Sequence, residues 1–432
     1  MPDAPRRLPT PPPPDAEGPT PEVLTWVATQ LGDLCDGGPE AVAGSTRFRG
    51  GQAAADRALA ALDLRGYADD RSEVHPRDRR GATGLSPWIR HGLLPLPRVW
   101  AAAADAPARD RERFRDELLW QEYARHLYAR LGHRTRAGLR GGLAPLAPPG
   151  TDPWAEARAD GMACLELVLG ELDEDGWLVN QTRMWVASHW AVRAGADWRE
   201  GEDALFRRLL DGSRAANRLG WQWVAGTATG RPYAFSRWQV EKRAPGICAS
   251  CPLARACPIE DRPEESPLDD APPEPLLRHD PDPGATAGPA TVERLPDAAP
   301  TAVWLTAESL GDADPALAAH PDLPVAFVFD APLLARLRLD ARRLVFLAES
   351  LGDLATRCDV TVWRGDVVAT LGAGGTAGGA ALAVTHAPVP GFRRRAAALP
   401  VVEQHPWPWL RRPGGGGVAS FSAWRGRDGR HR

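Results

Sequence analysis

Three of the six cysteines in this 432-residue chain lie within ten positions of one another. Cys248 and Cys251 are separated by two residues, and Cys257 follows with a proline directly after it. Thiolates at this spacing can ligate one metal centre, and a cysteine followed by proline is found in iron–sulfur binding loops. The spacing alone does not distinguish zinc from an iron–sulfur cluster. A fourth ligand is needed, for which the other cysteines are Cys35, Cys164 and Cys358.

The second chemical signal is the tryptophan content, 17 against four tyrosines. Six of these tryptophans fall in one segment: Trp177, Trp185, Trp190, Trp198, Trp221 and Trp223. Buried indoles in near contact can relay electrons or stack on a flat ligand, although a single tryptophan is more often a core residue. Six together, next to Asn, Asp and Arg, favour one of these two roles over core packing.

Composition excludes several classes of protein. The net charge is -4, so nucleic acid can be bound only through a local basic patch. The arginines 125, 130, 134, 136 and 140 could form such a patch or simply a solvated helix face. Six cysteines are too few for a disulfide scaffold, no run of 18 apolar residues exists, and the N-terminal residues lack a hydrophobic signal. We therefore expect a cytoplasmic monomer without a membrane span.

The elements that position these residues differ between the two halves of the chain. Residues 1–21 are rich in proline and predict a disordered leader. Apolar residues at helical spacing predict an all-helical domain over 22–258, with helices over 53–64, 111–131, 162–172 and 204–210. Residues 259–300 are crowded with Pro, Asp and Glu, which predicts a flexible linker.

Short apolar runs dominate the remainder, residues 301–432. Runs at 302–305, 324–330, 360–363 and 381–384 are typical of buried parallel strands, and 341–354 predicts a helix between two of them. We expect a multidomain α and α/β protein, in which an all-helical domain is followed by a Rossmann-like parallel α/β domain.

The helical half resembles the DNA photolyases and cryptochromes in five motifs that occur in the family's order. The FAD-domain signature is similar to Asp211-Gly-Ser-Arg-Ala-Ala-Asn217-Arg-Leu-Gly220-Trp221-Gln-Trp223. The other motifs are Tyr67 to Arg71 with Thr83-Gly-Leu-Ser86-Pro87, Glu117-Leu-Leu-Trp120-Gln121, Gly176-Trp177 to Ser188, and Asp197-Trp198-Arg199-Glu200-Gly201-Glu202. The resemblance covers residues 45–235.

The resemblance implies a role for each matched residue. Phosphates and ribose of FAD would be held by Tyr67, Thr83 and Ser86. Asn217 would face flavin N5, and Arg183 would pair with Asp211 beside the flavin ring. Electron transfer would run through Trp221 and Trp198, with Trp154 as a stand-in for the surface member. A flipped-out pyrimidine dimer would be received by Glu117, Trp120, Met184 and Trp223. The catalytic set is therefore Trp221, Trp198, Asn217 and Glu117.

The cysteines resemble those of the iron–sulfur branch of the same family. That branch carries an Asp-Met-Ala-Cys type helix, similar to Asp160-Gly-Met-Ala-Cys164, and a late Cys-x-x-Cys followed by Ala-Cys-Pro. The resemblance selects Cys164, Cys248, Cys251 and Cys257 as ligands of a [4Fe–4S] cluster.

The second half resembles the photolyase N-terminal domain from Trp304 to Leu317 and again near Trp363 to Asp366. In the family this domain precedes the FAD domain, so we expect a circular permutation. The family's Arg and Asp-Arg residues at the domain start are replaced by Thr306, Ala307 and Glu308, which makes an antenna chromophore doubtful and leaves its identity unknown.

Two functions follow from the resemblance. The first is a blue-light-driven deoxyribodipyrimidine photo-lyase, which repairs damaged DNA by electron transfer from reduced FAD. The alternative is a cryptochrome-like photoreceptor or redox flavoprotein without repair activity. Glu117, Trp120, Asn217 and Met184 favour repair, whereas Gln121, Gln181 and Ser213, at positions where the family has charged residues, favour photoreception.

Overall fold

The computed structural model describes residues 4–261, 268–269 and 272–426. The chain forms two compact units, each built from separate stretches of sequence. The first unit consists of Met1–Leu62, Leu85–Ala102 and Asp282–Gly415. The second consists of Asp63–Gly84, Ala103–Pro281 and Gly416–Arg432.

The helices occur in both units. In chain order they are α1 Pro21–Leu31, α2 Gln52–Ala60, α3 Tyr67–Asp70, α4 Ser86–Arg90, α5 Leu96–Ala102, α6 Ala108–Leu131, α7 Pro153–Ala159, α8 Ala163–Asp175, α9 Asn180–Ser188, α10 Trp198–Arg208, α11 Ala216–Val224, α12 Arg237–Arg243, α13 Pro283–Ala287, α14 Pro315–Ala319, α15 Ala331–Leu337, α16 Ala341–Ala355, α17 Val367–Leu371, α18 Phe392–Ala397 and α19 Phe421–Gly426. A π-helical turn, His189–Arg193, continues α9. Among the described residues, no helix is both long enough and apolar enough to cross a bilayer.

The first unit contains a seven-stranded sheet. Its strands are β1 Arg6–Arg7, β2 Glu293–Arg294, β3 Ala302–Leu305, β4 Val325–Asp330, β5 Val360–Gly365, β6 Leu382–Thr385 and β7 Val401–His405. They are arranged in the order β1-β5-β4-β3-β6-β7-β2. The five central strands are parallel, and the two-residue strands at the edges pair antiparallel. Because β3 lies between β4 and β6, the sheet is doubly wound, as predicted.

Apolar strands and helix caps account for this unit. β3 and β6 are buried along their whole length, as expected for a parallel sheet covered on both faces. One core cluster joins Trp304, Val328 and Phe392 across the sheet. Helix α16, predicted over 341–354, begins after Asp340, whose carboxylate accepts from the Arg342 amide at 2.9 Å.

The second unit is helical, which confirms the predicted fold class. Its longest helix, α6, carries Tyr123, Leu127 and Leu131 into a core cluster with Leu277 and Val418. The last described helix, α19, packs on α6, where Trp424 Nε1 donates to His126 Nδ1 at 3.1 Å.

The predicted leader over 1–21 differs from the structure of residues 4–21. Arg6 and Arg7 pair with Arg364 and Trp363 at the edge of the sheet. Leu8 is buried, and its amide donates to the Val362 carbonyl at 2.8 Å. An edge strand tolerates neighbouring prolines, because their missing amide protons are not needed on the solvent side.

The predicted boundaries of the helical domain and the linker also differ from the structure. Residues 22–62 and 85–102 belong to the first unit, because the apolar face of α1 packs on α16 and Trp26 contacts Phe329 with ring centroids 6.1 Å apart. The predicted linker, 259–300, contains α13 and β2, and Leu277 is buried. Its residues 262–267 and 270–271 lie outside the described part of the chain.

Candidate flavin and cysteine sites

Arg183 and Asp211 form an ion pair in the helical unit. Arg183 lies on α9, and its Nη2 is 2.7 Å from Asp211 Oδ2, while its Nε donates to the Leu178 carbonyl at 2.9 Å. The Asp211 side chain is 4% exposed, and its Oδ1 has no hydrogen-bond partner among the described residues. A buried carboxylate oxygen without a donor is costly, so this position suits a ligand that brings one.

Asn217 is held by a carboxylate that the sequence analysis left without a role. Its Nδ2 donates to the Oε1 and the backbone carbonyl of Glu202, at 2.9 and 3.1 Å. The other oxygen of Glu202 accepts from Arg214 at 2.6 Å and from Arg218 at 3.1 Å. Glu202 is fully buried, and this network fixes the orientation of the Asn217 amide.

Tyr67 and Glu117 lie on adjacent helices, α3 and α6. The ring of Tyr67 meets Phe114 edge to face, with centroids 5.3 Å apart. Burial raises the pKa of the Tyr67 phenol, and the charge of Glu117 adds to the rise. Glu117 Oε1 is 3.2 Å from Arg71 Nε and 3.6 Å from an Arg113 guanidinium nitrogen. The structure therefore brings these two predicted site residues together.

Trp120 lies one turn after Glu117 and is covered by an aromatic residue distant in sequence. Phe421 on α19 stacks on its ring, with centroids 4.0 Å apart and planes at 14°. Trp120 is still 36% exposed. The helix that carries Phe421 is attached to α6 by the Arg425–Asp116 ion pair, at 2.8 Å.

The other predicted binding residues lie on different elements. Thr83 is half-buried in a loop of the second unit, whereas Ser86 begins α4 in the first unit. Met184 is half-buried on α9. Trp223 on α11 is 38% exposed and contacts Tyr233, with ring centroids 5.5 Å apart.

Trp223 and Tyr233 line an open cavity of about 760 Å³ within the helical unit. Arg193, Arg231 and Glu260 also line it. Tyr233 donates its hydroxyl to Gln239 Oε1 at 3.0 Å. The cavity combines aromatic walls with charged side chains of both signs.

Trp221 lies in a group of three buried tryptophans. Its ring centroid is 6.3 Å from that of Trp154 and 6.5 Å from that of Trp190, which are themselves 4.8 Å apart. Trp154 is only 4% exposed, so it adjoins Trp221 but does not lie at the surface. Trp190, to which the sequence analysis assigned no role, completes the group.

A glycine makes room for this group. A Cβ atom at Gly201 would lie 2.3 Å from Trp221 Cη2 and 2.8 Å from Trp190 Cδ1. Gly201 is three residues after Trp198 on α10, so both lie on one face of the helix. Asp197 begins that helix by accepting from the Arg199 amide at 2.9 Å, which sets the position of the buried Trp198.

The four predicted cluster ligands are near one another. Cys164 is buried in the first turn of α8, and the half-buried Cys248, Cys251 and Cys257 lie in the loop after α12. Burial raises the pKa of the Cys164 thiol to about 12, and the charges of the other three sulfurs add to the rise. Such a thiol ionises readily only beside a cation, and a coordinated metal would supply one.

The spacing of the sulfurs bears on the kind of metal centre. A tetrahedral zinc ion with Zn–S bonds of about 2.3 Å brings its sulfurs to about 3.8 Å from one another. Among the described residues, no three cysteine sulfurs lie within 4.8 Å of one another. The arrangement is therefore wider than a single zinc ion requires. Cys35 and Cys358 belong to the first unit.

The arginines considered as a phosphate-binding face are mostly engaged. Arg130 pairs with Asp280 at 3.1 Å, Arg134 with Glu274 at 3.2 Å, and Arg136 with Asp203 at 2.9 Å. Arg140 donates to the Ala419 carbonyl at 2.5 Å. Three of the five arginines that the sequence offered as either a phosphate-binding patch or a solvated helix face are therefore paired with carboxylates.

Comparison with known proteins agrees with these observations. Residues 114–244 match the FAD-binding domain of DNA photolyase. This part of the chain is similar to the DNA photolyases. The matched stretch contains most of the predicted site, including Arg183, Asp211, Asn217 and Trp221.

Relatives named deoxyribodipyrimidine photo-lyase match over part of their length. The chain is 28% identical over 228 residues to the deoxyribodipyrimidine photo-lyase of Synechococcus sp., covering 48% of this chain and 46% of the relative. The photo-lyase of Thermus thermophilus is 33% identical over 183 residues, covering 39% of this chain and 40% of the relative. The matches thus span about half, or less, of these relatives. A class III photolyase structure from Agrobacterium tumefaciens aligns with a TM-score of 0.40 at 26% identity, over 52% of this chain and 46% of that one.

Proposed function

We propose that this chain is an FAD-dependent, blue-light-driven photolyase that splits pyrimidine dimers in DNA. The observation that carries the proposal is the Arg183–Asp211 pair, in which one buried carboxylate oxygen lacks a donor within a matched FAD-binding domain. FAD, when reduced and excited by light, would supply the electron that opens the dimer.

The chain's own residues would bind and orient the reactants. Arg183 supplies a positive charge that Asp211 holds in place, and Glu202 orients the Asn217 amide. Trp223 is 38% exposed, so an unstacked base can stack on its indole. Glu117 offers a carboxylate acceptor on the same helix as Trp120, held by Arg71.

The direct test is illumination of the chemically reduced protein with a dimer-containing oligonucleotide. We expect dimers to disappear in blue light and to persist in the dark. Trp221→Phe is the matched control, because the proposed role of Trp221 is in reducing the protein and not in repair. Chemically reduced Trp221→Phe should therefore repair normally. A wild-type protein that retains FAD but leaves the dimer intact would contradict repair.

We also propose that Cys164, Cys248, Cys251 and Cys257 bind a [4Fe–4S] cluster. The support is the charge interaction of Cys164 with the other three sulfurs. Cys164→Ser should lose the iron and the broad visible absorption. Cys35→Ser, which alters a buried cysteine of the first unit, should retain both. Equal iron content in the two variants would reject this ligand set.

The order of the units supports a permuted arrangement. The parallel strands β3 to β7 follow helices α6 to α12 in the chain, whereas the resemblance places the α/β domain first in the family. We propose a circular permutation. No antenna chromophore is proposed.

A photoreceptor without repair activity is the second candidate, and the stacking of Phe421 on Trp120 favours it. The phenyl ring covers an indole that a dimer would need. An aromatic pair contributes about 0.5–1.5 kcal/mol, so Phe421→Ala should bind dimer-containing DNA up to about tenfold more tightly than wild type. Ser422→Ala, an exposed change on the same helix, should not. Fluorescence anisotropy measures both, and unchanged affinity in Phe421→Ala would remove this support.

A further inference from the structure

Two imidazoles and a carboxylate converge in the sheet unit, away from the residues considered above. Glu403 and His405 are two positions apart on β7, so their side chains lie on the same face of the strand. His320, directly after α14, reaches the same point. Glu403 Oε1 is 2.7 Å from His320 Nε2 and 2.5 Å from His405 Nε2. All three atoms lie within 4.8 Å of one another.

The group is buried except on one side, where His320 is partly exposed. The side chains of Glu403 and His405 are each 4% exposed, whereas that of His320 is 22% exposed. An ion could therefore enter past His320. The two rings are almost perpendicular, at 88° with centroids 6.0 Å apart, so their Nε2 atoms approach one point from different directions.

Arg294 supports the carboxylate from behind. Its Nε donates to Glu403 Oε2 at 2.8 Å, which leaves Oε1 to the two imidazoles. Metal-binding carboxylates and histidines are commonly oriented by such outer hydrogen bonds.

We propose that His320, Glu403 and His405 bind one divalent transition-metal ion of the zinc type. Two imidazole nitrogens and one carboxylate oxygen form a ligand set that zinc uses with an open coordination position, whereas magnesium and calcium prefer oxygen ligands alone. Ligand atoms around tetrahedral zinc lie about 3.3 Å apart, so the two N–O distances would each lengthen by less than about 1 Å. Each imidazole coordinates as the neutral ring, with its proton on Nδ1, and the carboxylate remains anionic.

This ion would connect elements that are far apart in sequence. The three ligands join β7 to the end of α14, and Arg294 adds the edge strand β2. Among the described residues, no fourth His, Cys, Asp or Glu joins the group. At least one coordination position is therefore left for water or an external ligand.

Zinc titration of the full-length protein, with bound zinc measured after equilibrium dialysis, tests the proposal. We expect wild type to bind one more zinc per chain than His320→Ala or Glu403→Gln. The control His133→Ala removes an exposed imidazole from the other unit and should match wild type. Arg294→Ala should weaken binding about 10–100-fold. Equal stoichiometry and affinity in wild type, His320→Ala and Glu403→Gln would overturn the proposal.

Two further measurements exclude trivial explanations. The first is the same titration with cobalt, whose absorption spectrum reports its ligands. Cysteine ligands would produce an intense thiolate-to-metal band, which nitrogen and oxygen ligands do not. The cobalt bound by wild type but not by His320→Ala should therefore add no thiolate band, and a thiolate band in that difference would reject the site. Zinc should also raise the unfolding temperature of wild type but not of His320→Ala, and an equal rise in both would count against it.

Discussion

Replacing Gly201 with alanine places a methyl group against two buried indoles. The new Cβ would lie 2.3 Å from Trp221 Cη2, 2.5 Å from Cζ3 and 2.8 Å from Trp190 Cδ1. Carbon atoms in contact are normally about 3.5–4.0 Å apart, so at least one ring must move by about 1 Å or more. Both rings are at most 5% exposed and cannot turn into solvent.

The size of the effect follows from two opposing contributions. Overpacking a core costs about 1–3 kcal/mol. Alanine in place of a helical glycine contributes about 1 kcal/mol in the other direction. We therefore expect the free energy of unfolding of Gly201→Ala to fall by up to about 2 kcal/mol.

Gly220 provides a matched control on α11. It is exposed and helical, and a Cβ atom there would have nothing within 4 Å. Gly220→Ala should therefore gain up to about 1 kcal/mol from helix propensity alone. Urea denaturation followed by tryptophan fluorescence and by circular dichroism compares the two variants. If Gly201→Ala is as stable as Gly220→Ala, the close packing of Trp221 against α10 is wrong.

Three further predictions concern the helical unit. Arg183→Gln leaves the buried Asp211 carboxylate without its partner and should lower the free energy of unfolding by about 3 kcal/mol. Asp211→Asn in the same chain should restore part of this loss. If denaturation shows that the losses of the two single variants simply add in the double variant, the pairing is wrong. Trp221→Phe should slow light-driven reduction of the protein, monitored by absorption, whereas Trp26→Phe in the first unit should not. Equal reduction rates in the two variants would show that Trp221 is not part of the electron-transfer path. Burial lowers the pKa of His189 to about 4 from 6.5, so the unfolded chain takes up the proton first as the pH falls. Wild type should therefore lose stability relative to His189→Gln between pH 6.5 and 4, by up to about 1.4 kcal/mol per pH unit, and parallel stability curves would contradict this.

The parts of the fold that sequence could predict depend on local pattern. The run Val325 to Phe329 is apolar throughout, and the structure places it in an inner strand of the sheet. Motif resemblance led to Arg183 and Asp211, which lie 28 positions apart and form the expected pair. In both cases, the information was carried by neighbouring residues or by a family motif.

The parts that could not be predicted depend on contacts between distant residues. No local pattern indicates that Phe421 stacks on Trp120, or that His320 meets Glu403. Composition was also misleading near the N-terminus, because a proline-rich segment can pair at a sheet edge once Leu8 is buried. Glu202 belonged to a recognised motif, but its hydrogen bond to Asn217 required coordinates.

The absorption spectrum of the purified protein, with its iron content, tests the central claim most directly. We predict a flavin band together with broad iron–sulfur absorption, and release of FAD on denaturation. Asp211→Asn should weaken the flavin band and leave the iron content unchanged, because the cysteines lie on other elements of the unit. A colourless wild-type protein that takes up neither FAD nor iron would contradict the account.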